Sequence, residues 1–300
     1  MRIGFAVKVL GEDGLPSHDT RRWQSGPHLR TSLERLRAIL DYLDRHDIRM
    51  YRMATALAPY ASHPELKQFH GQVDECAAGL AEVGALARRL GVRLSTHPGQ
   101  YTVLNSERAE VQAAAAAELE VQASVLDAMG LGPEAVVVLH VGGGAGGVPA
   151  AADRFLAGFE RLTEQARARL VIENDDRVFG VSDVLQIADR TGLRVVFDIH
   201  HHRCHDPVGM DDREALERAL GTWPAGVTPK VHFSSPRLDL GEGGRFPELR
   251  AHADLIDPIS FEDFLHNTGA GLDFDVMLEA KAKDLALLRL REQLAGRRRT

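Results

Sequence analysis

The sequence predicts an α/β protein folded as a single (β/α)8 TIM barrel. Eight short β-branched runs alternate with longer segments of helical character over the 300 residues. The runs are apolar at consecutive positions, as is typical of parallel strands covered on both faces. Six consecutive runs also end in side chains that can bind a metal ion, and barrel strands bring their carboxyl ends together on one face. An open doubly wound sheet would spread those side chains along a line, so the barrel is favoured.

The predicted strands run from "RIGFAV" to "FDVMLEA", at residues 2–7, 49–54, 92–97, 135–141, 169–174, 194–200, 230–235 and 274–280. Helical segments lie between them, at residues 31–46, 73–90, 107–129, 151–168, 181–190, 211–220, 259–267 and 281–295. The seventh helix is weakly indicated, because loop-rich sequence with "GEGG" and several prolines precedes it. No linker or change in composition marks a second domain, so residues 1–300 are expected to form one domain.

Composition limits the function classes that fit. The net charge of −7 argues against a protein that coats nucleic acid by bulk charge. It leaves room for a nucleic-acid enzyme, because bound cations can reverse the sign of charge at one site. The two cysteines, Cys76 and Cys204, are too few for a disulfide framework and suit a reduced cytoplasmic setting. The chain shows neither a signal peptide nor an apolar stretch long enough for a membrane span.

Side chains that bind metals recur at the ends of the predicted strands. They are His97, His140, Glu173, Asp198, His232 and Glu279, with Lys230 in the seventh strand and three histidines directly after Asp198 and Ile199. Imidazole and carboxylate together suit Zn²⁺ or Mn²⁺. Taken singly, each histidine is more often a core or rim residue, and each carboxylate more often a helix cap or salt-bridge partner. Their coincidence on six strands favours a metal site.

The run "IHHH" could also be a solvated loop. Side chains alternate along an extended strand, so His200, His201 and His202 cannot all point inward. At most one or two of them are expected to bind metal.

A second unusual stretch is "STHPGQYTVLN", at residues 95–105. Pro98 and Gly99 turn the chain after His97, which places Gln100 and Tyr101 on a loop over the site. An amide beside an aromatic ring on such a loop can probe nucleic-acid bases, since the ring stacks and the amide forms hydrogen bonds. The alternative is an ordinary turn with a core tyrosine.

Seven motifs, in this order, resemble the UV-damage endonuclease family, barrel enzymes related to endonuclease IV. They are "THPGQYTVLN", "VLHVGG", "VIENDD", "VFDIHHH", "KVHFSSP", "AHADLI" and "DVMLEAKAKD", and the resemblance covers about residues 30–284. It implies metal-dependent nicking of damaged double-stranded DNA on the 5′ side of a UV photoproduct or other lesion, leaving a 3′-hydroxyl and a 5′-phosphate. A monomer is the simplest expectation for an enzyme that must bend a duplex.

The resemblance also implies three divalent ions, with Mn²⁺ expected and Zn²⁺, Co²⁺ or Mg²⁺ as alternatives. It places the first ion on His97, His140 and Glu173, the second on Glu173, Asp198, His232 and Glu279, and the third on His201, His252 and Lys230. Lys230 resembles a position where CO₂ carboxylates the amine; otherwise it is an ordinary lysine that contacts phosphate. Two ions bridged by Glu173 would activate water, and the third would neutralise the departing 3′-oxygen.

Further residues are expected at the DNA. The resemblance implies that Gln100 and Tyr101 displace the damaged dinucleotide, and that His70 in "QFHGQV" lies near the scissile phosphate as a catalytic residue beside Glu173 and Lys230. By sequence alone His70 is a loop histidine. Three cations near strand ends are expected to contact phosphates: Lys8, Arg177 and Arg237.

One departure from the family pattern leaves other functions open. Phe5 stands where the family usually has tyrosine, and the missing hydroxyl puts the lesion range in question. One rival is a xylose-isomerase-like metal-dependent sugar isomerase or epimerase, whose site would be richer in carboxylate and poorer in histidine. The other is a metal-binding barrel that recognises damaged DNA without cutting it. Conversion of a ketose would support the first, and tight lesion binding without nicking the second.

Overall fold

The computed structural model describes residues 1–239, 246 and 248–297. The "GEGG" segment and the last three residues of the C-terminal tail lie outside the described residues. Among the described residues, no helix has the length and apolar character needed to cross a membrane.

Eight parallel strands form the predicted barrel. They are β1 Ile3–Ala6, β2 Met50–Arg52, β3 Arg93–Ser95, β4 Val137–His140, β5 Leu170–Glu173, β6 Arg194–Asp198, β7 Lys230–Phe233 and β8 Asp275–Leu278. The order is β3-β2-β1-β8-β7-β6-β5-β4, and each neighbouring pair is parallel. Thr96 closes the ring between β3 and β4, because its backbone hydrogen-bonds with Val136 and Val138 at 3.0 Å each. The barrel prediction is therefore confirmed.

Helices connect the strands and cover the outside of the barrel. They are α1 Leu29–Arg45, α2 Gln72–Glu75, α3 Ala77–Arg89, α4 Ala109–Ala128, α5 Val148–Phe159, α6 Glu164–Arg169, α7 Val181–Thr191, α8 Ile199–Cys204, α9 Asp212–Gly221, α10 Pro258–Asp263 and α11 Lys283–Arg297. A π-helical turn, Phe264–Thr268, extends α10. Two segments predicted as single helices are split, at Cys76 and before Glu164. The second split has a clear cause, since Thr163 caps α6 by accepting from the Ala166 amide.

The histidine run is helical, which corrects the predicted strand over 194–200. Strand β6 ends at Asp198, and α8 begins at the next residue. The Asp198 carboxylate accepts a hydrogen bond from the His201 amide at 2.8 Å, so it caps the helix. Strand alternation therefore does not govern the directions of the three imidazoles, and all three are buried.

The amino end of the barrel is closed by polar and aromatic side chains. Arg93 is fully buried there, and its Nη1 donates to Asp275 Oδ2 at 2.9 Å. The guanidinium carbons of Arg93 and Arg194 lie 5.6 and 5.2 Å from the ring of Trp223. The Trp223 indole donates to the Val195 carbonyl at 2.8 Å. This floor leaves the carboxyl ends of the strands as the open end of the barrel.

Candidate metal centre

Eight side chains meet at the open end of the barrel and are called here the histidine–carboxylate cluster: His97, His140, Glu173, Asp198, His201, His232, His252 and Glu279. Along each strand, side chains alternate between the inside and the outside of the barrel. The inward-facing residues at the carboxyl ends of the strands therefore meet in the same space. Glu173 lies at the centre and is fully buried. Its Oε2 is 2.9 Å from His97 Nε2, and its Oε1 is 2.9 Å from His232 Nδ1.

Two groups within the cluster have the spacing of metal ligands. In each group one potential ligand atom per residue lies within 4.8 Å of the others; the groups are His97, Glu173, His232 and Glu279, and His140, Glu173 and His201. Glu173 belongs to both, so its two oxygens can face two ions. The resemblance implies that His97 and His140 share one ion. Their Nε2 atoms lie 2.9 and 3.8 Å from the same Glu173 oxygen, Oε2, although spacing puts them in different groups. Which ion each would hold stays a prediction.

The charges in the cluster suit a cation. Burial alone would raise the pKa of the Glu173 carboxyl, but His232, His140 and His97 outweigh it and hold that pKa well below its usual range. The pKa of Glu279 is held low in the same way, with burial opposed chiefly by Arg52 and then His232. Burial lowers the pKa of His97 and His140, which favours neutral imidazoles with free lone pairs.

Several buried polar atoms of the cluster lack partners, which independently indicates a missing ligand. Asp198 Oδ2, His232 Nε2 and His140 Nδ1 have no hydrogen-bond partner within the described part of the chain. Buried polar groups in native proteins are nearly always satisfied. A set of carboxylates and imidazoles with such gaps fits divalent metal ions.

The three histidines of α8 have distinct partners. His201 Nδ1 lies 3.0 Å from the Asn174 carbonyl and 3.5 Å from Glu173 Oε1. His200 and His202 instead place their Nε2 atoms 3.1 and 2.9 Å from backbone carbonyls outside the cluster. Of the three histidines, His201 alone therefore joins a ligand group in the described structure.

His252 and Asp198 complete the cluster at its edges. His252 Nδ1 lies 2.7 Å from Ser234 Oγ, and His252 Nε2 lies 3.9 Å from Glu279 Oε2. Asp198 Oδ2 lies 3.8 Å from His201 Nδ1. Both side chains therefore lie at the edge of the cluster, and their role as ligands stays a prediction.

The side chain of Lys230 lies inside the barrel, and its backbone lies nearer to the floor than to the histidine–carboxylate cluster. It is the first residue of β7 and is fully buried. Its Nζ donates to Ser95 Oγ at 3.1 Å. Burial, followed by the charges of Arg93 and Arg52, holds its pKa well below the usual range for an amine.

The predicted base probes and the loop histidine lie on the surface. Thr102 donates to the Gly99 carbonyl at 3.0 Å, which closes the turn that presents Gln100 and Tyr101. Tyr101 is 85% exposed, so the alternative of a core tyrosine is wrong. His70 is also exposed, and its Nε2 lies 2.8 Å from the His63 carbonyl rather than on the cluster.

The three predicted phosphate contacts are all exposed. Arg177 lies 3.4 Å from Asp176 and 3.6 Å from Glu248 in ion pairs. The Arg237 amide donates to the Ala251 carbonyl, which holds that residue in the loop after β7. Lys8 follows β1.

Sequence reasoning missed the polar residues that support the cluster. Arg52 forms an ion pair with Glu279, and Asn174 exchanges two hydrogen bonds of 2.9 Å with the Asp198 backbone. Ser95 and Ser234 hold Lys230 and His252. Alternation in "RMYRMA" would have indicated Arg52, since it places Met50 and Arg52 on the same face of β2.

The phenylalanine that departs from the family pattern lies away from the cluster. Phe5 is fully buried in the main core between the strands and the helices. Its ring meets Tyr51 edge-on, with centroids 5.5 Å apart. The missing hydroxyl therefore does not face the open end of the barrel.

Comparison with known proteins gives a consistent result. The family model described as "UV-endonuclease UvdE" matches residues 27–300. The UV DNA damage endonuclease of Bacillus mycoides (strain KBAB4) is 35% identical over 264 residues, covering 86% of this chain and 79% of its own length. The enzyme of the same name from Bacillus pumilus (strain SAFR-032) is 35% identical over 257 residues, covering 84% and 76%.

Solved structures extend the comparison to the fold. The crystal structure of SacUVDE superposes with a TM-score of 0.85 at 31% identity, over 100% of both chains. Endonuclease IV from Thermus thermophilus gives 0.60 at 16% identity, over 99% and 100%. D-Psicose 3-epimerase from Clostridium cellulolyticum H10 gives 0.54 at 12%, over 93% and 85%. The last two show a shared barrel fold only.

Proposed function

Since the chain belongs to the UV-endonuclease UvdE family, we propose that it nicks UV-damaged DNA by hydrolysing a phosphodiester at the histidine–carboxylate cluster. It is a UV DNA damage endonuclease by this membership. The single observation that carries the proposal is the position of Glu173 in two metal-ligand groups at once. Divalent ions at such a site supply an activated water and positive charge for the departing oxygen.

The cluster's own residues set the geometry for that chemistry. Glu173 is the proposed catalytic carboxylate and the bridge between the two groups. Asn174 fixes the backbone of Asp198, and Arg52 fixes the carboxylate of Glu279. These contacts leave the ligands little freedom to reorganise, which favours catalysis by a preorganised site. The proposed metal is Mn²⁺, with Zn²⁺, Co²⁺ or Mg²⁺ as alternatives.

Lys230 is proposed to be carboxylated and to serve as a further metal ligand. Its amine is buried, has no carboxylate ion-pair partner within the described residues, and donates only to the Ser95 hydroxyl. An uncompensated ammonium is costly in such a place. Reaction of the neutral amine with CO₂ would form a carbamate and release a proton, giving an anion at this buried position.

The exposed loop is proposed to recognise the lesion. Tyr101 can stack on an unpaired base and Gln100 can hydrogen-bond to it. A damaged step unstacks more easily than an intact one, so a lesion lowers the cost of opening the duplex. His70 is proposed to approach the scissile phosphate once DNA is bound, and Arg177 and Arg237 to contact neighbouring phosphates.

The position of the cut, the oligomeric state and the cellular location belong to the same proposed function. Cutting is proposed on the 5′ side of the lesion, by a monomer located in the cytoplasm. The sugar isomerase alternative finds little support in the site, where five histidines accompany three carboxylates. A barrel that binds without cutting is disfavoured because the cluster contains the ligands for metal-ion catalysis.

The test is a nicking assay on an end-labelled duplex with one UV photoproduct, beside the undamaged duplex. Purified protein with Mn²⁺ should cut only the damaged strand, immediately 5′ of the lesion. Glu173→Gln should lose this cutting, because the amide cannot bridge two cations. Glu160→Gln, a matched change on the exposed end of α5, should cut like the unmodified protein. Binding of the lesion without cutting under Mn²⁺, Mg²⁺, Co²⁺ or Zn²⁺ would contradict the proposal.

A further inference from the structure

Two lysines near the cluster, Lys8 and Lys283, lie at or next to residues with unfavourable backbone φ. Val7 has a φ of 66° and Lys283 a φ of 52°. Positive φ is unfavourable for a lysine and more so for a β-branched residue. The Lys8 amide donates to the Ala6 carbonyl at 2.8 Å, so Val7 is the centre of a γ-turn with the less stable sign of φ. Such outliers persist where the surroundings impose them, and they occur at functional sites.

A buried carboxylate joins the two segments that carry these lysines. Asp284 is fully buried. Its Oδ1 accepts from the Leu10 amide at 2.8 Å, and its Oδ2 accepts from the Gly11 amide at 2.9 Å and the Tyr42 hydroxyl at 2.7 Å. Since Asp284 follows Lys283 directly, these bonds fasten the loop after β1 to the start of α11.

The segments that carry the two lysines also meet the strand that carries Arg52. The charges acting on Lys283 include those of Arg52, Glu279 and Lys8. The Val7 amide donates to the Arg52 carbonyl at 2.8 Å, which ties the Lys8 turn to β2. Arg52 is already paired with Glu279. The lysines are thus next to the cluster, on its Glu279 side.

Neither lysine ammonium has a direct partner within the described residues. Within the described residues, no hydrogen bond or ion pair joins the ammonium of Lys8 or Lys283 to another group. Lys283 is half-buried, and burial, then Arg52 and Lys8, lower its pKa against the opposing charge of Glu279. Like charges near one another without a directly paired carboxylate favour the binding of an anion.

We propose that Lys8 and Lys283 form a subsite for a backbone phosphate of the DNA, beside the cluster on its Glu279 side. Lys283 and the positioning residues Asp284 and Arg52 are additions to the predicted set of DNA contacts. The subsite rests on the proposed function for the identity of its ligand, a phosphodiester. It would fix the position of the strand next to the metal centre without reading its sequence.

The test is the salt dependence of DNA binding. An undamaged duplex is used with the Mn²⁺-loaded protein, because a phosphate contact does not need a lesion. Binding constants are measured over a range of salt concentrations. Because both lysines act on one phosphate, the double variant Lys8→Met/Lys283→Met should lower the slope of log K against log salt by about 0.9, the value for one phosphate contact. Each single variant should lower it by less.

Matched variants separate this role from a structural one. Lys283→Arg keeps the charge and should keep the slope. Arg289→Met removes an exposed charge that lies six residues after Lys283 on α11 and is paired with Glu292, and it should also keep the slope. An unchanged slope in the double lysine variant, or no DNA binding by the unmodified protein, would overturn the subsite.

The nicking assay is run on the same preparations. If the unmodified protein binds DNA but cuts no damaged duplex while the slopes fall, the subsite stands and the proposed function fails. If it cuts and the slopes do not fall, the subsite alone fails.

Discussion

Glu173 shows how one residue can gain its role from its neighbours. Its carboxylate is fully buried, yet the histidines around it keep it ionised. Its position at the end of β5 could be predicted from the sequence, as could those of His97, His140 and His232. The hydrogen bonds of Asn174 to the Asp198 backbone could not, because such bonds leave no periodic signal. Alternation along β2 indicates the direction of Arg52 but does not identify Glu279 as its partner.

A residue far from the cluster allows a test of stability against pH. Asp19 is buried and accepts from the Arg21 guanidinium at 2.6 Å and the His28 amide at 3.0 Å. The hydrogen bonds from Arg21 are the main reason that its pKa lies well below the usual value. Because the folded pKa of Asp19 is lower than the unfolded value of about 4, its carboxylate stabilises the folded protein above that pH. This contribution is lost as the pH falls from that value towards the folded pKa.

Asp19→Asn should therefore lose less stability than the unmodified protein between pH 7 and pH 3. Urea unfolding of the metal-free proteins at both pH values measures the difference. Asp153→Asn, at an exposed ion pair on α5 with Arg190, is the matched control and should follow the unmodified protein. If the Asp19→Asn variant loses as much stability as the unmodified protein, the Asp19 carboxylate does not contribute to the pH dependence of stability.

For the helices and strands, the sequence predicted which elements exist better than the residues at which they begin and end. Leucines at helical spacing marked α1 correctly, and the weakly indicated helix after β7 is present as α10 and its π-helical turn. The break before α6 was missed because Thr163 signals a cap only once its partner amide is known. The helix α8 was missed because an apolar strand runs into the histidines without any glycine or proline.

The packing of α3 gives a prediction at this scale. A Cβ on Gly84 would lie 1.8 Å from the Met129 carbonyl oxygen, so the helix must approach the end of α4 closely. Gly84→Ala should destabilise the protein by about 2 kcal/mol or more, because backbone has to move. In Gly296→Ala, no atom lies within 4 Å of the new Cβ, so the midpoint of urea unfolding should be unchanged or slightly raised. Equal urea midpoints for the two variants would contradict the close approach.

At the scale of the whole molecule, the barrel and the site predict each other. Residues of metal-ligand type on consecutive strands indicated a closed barrel, and the closed barrel brings these residues together. The division of ligands between ions stays a prediction, because it depends on distances of a few ångströms across the barrel. His97 and His140 illustrate this, since both lie near Glu173 Oε2 although spacing puts them in different groups.

Metal ions that bind the folded cluster should stabilise the whole barrel. With Mn²⁺ at a hundred times its Kd, one site adds about 2.7 kcal/mol, which is about 4 °C in Tm for a chain of this size. Calorimetry after EDTA treatment and after Mn²⁺ addition measures the shift. Glu173→Gln should largely abolish it and Glu160→Gln should retain it. The same shift in both variants would place the binding elsewhere.

The closed floor also gives the protein an internal optical reporter. The chain has two tryptophans; Trp23 is 45% exposed, whereas Trp223 is buried between two guanidinium groups. Acrylamide should quench the emission of Trp23 and spare that of Trp223. In a Trp23→Phe chain, the remaining fluorescence would come from the floor alone. Its spectral shift during unfolding would show when the amino end of the barrel opens, without any added label.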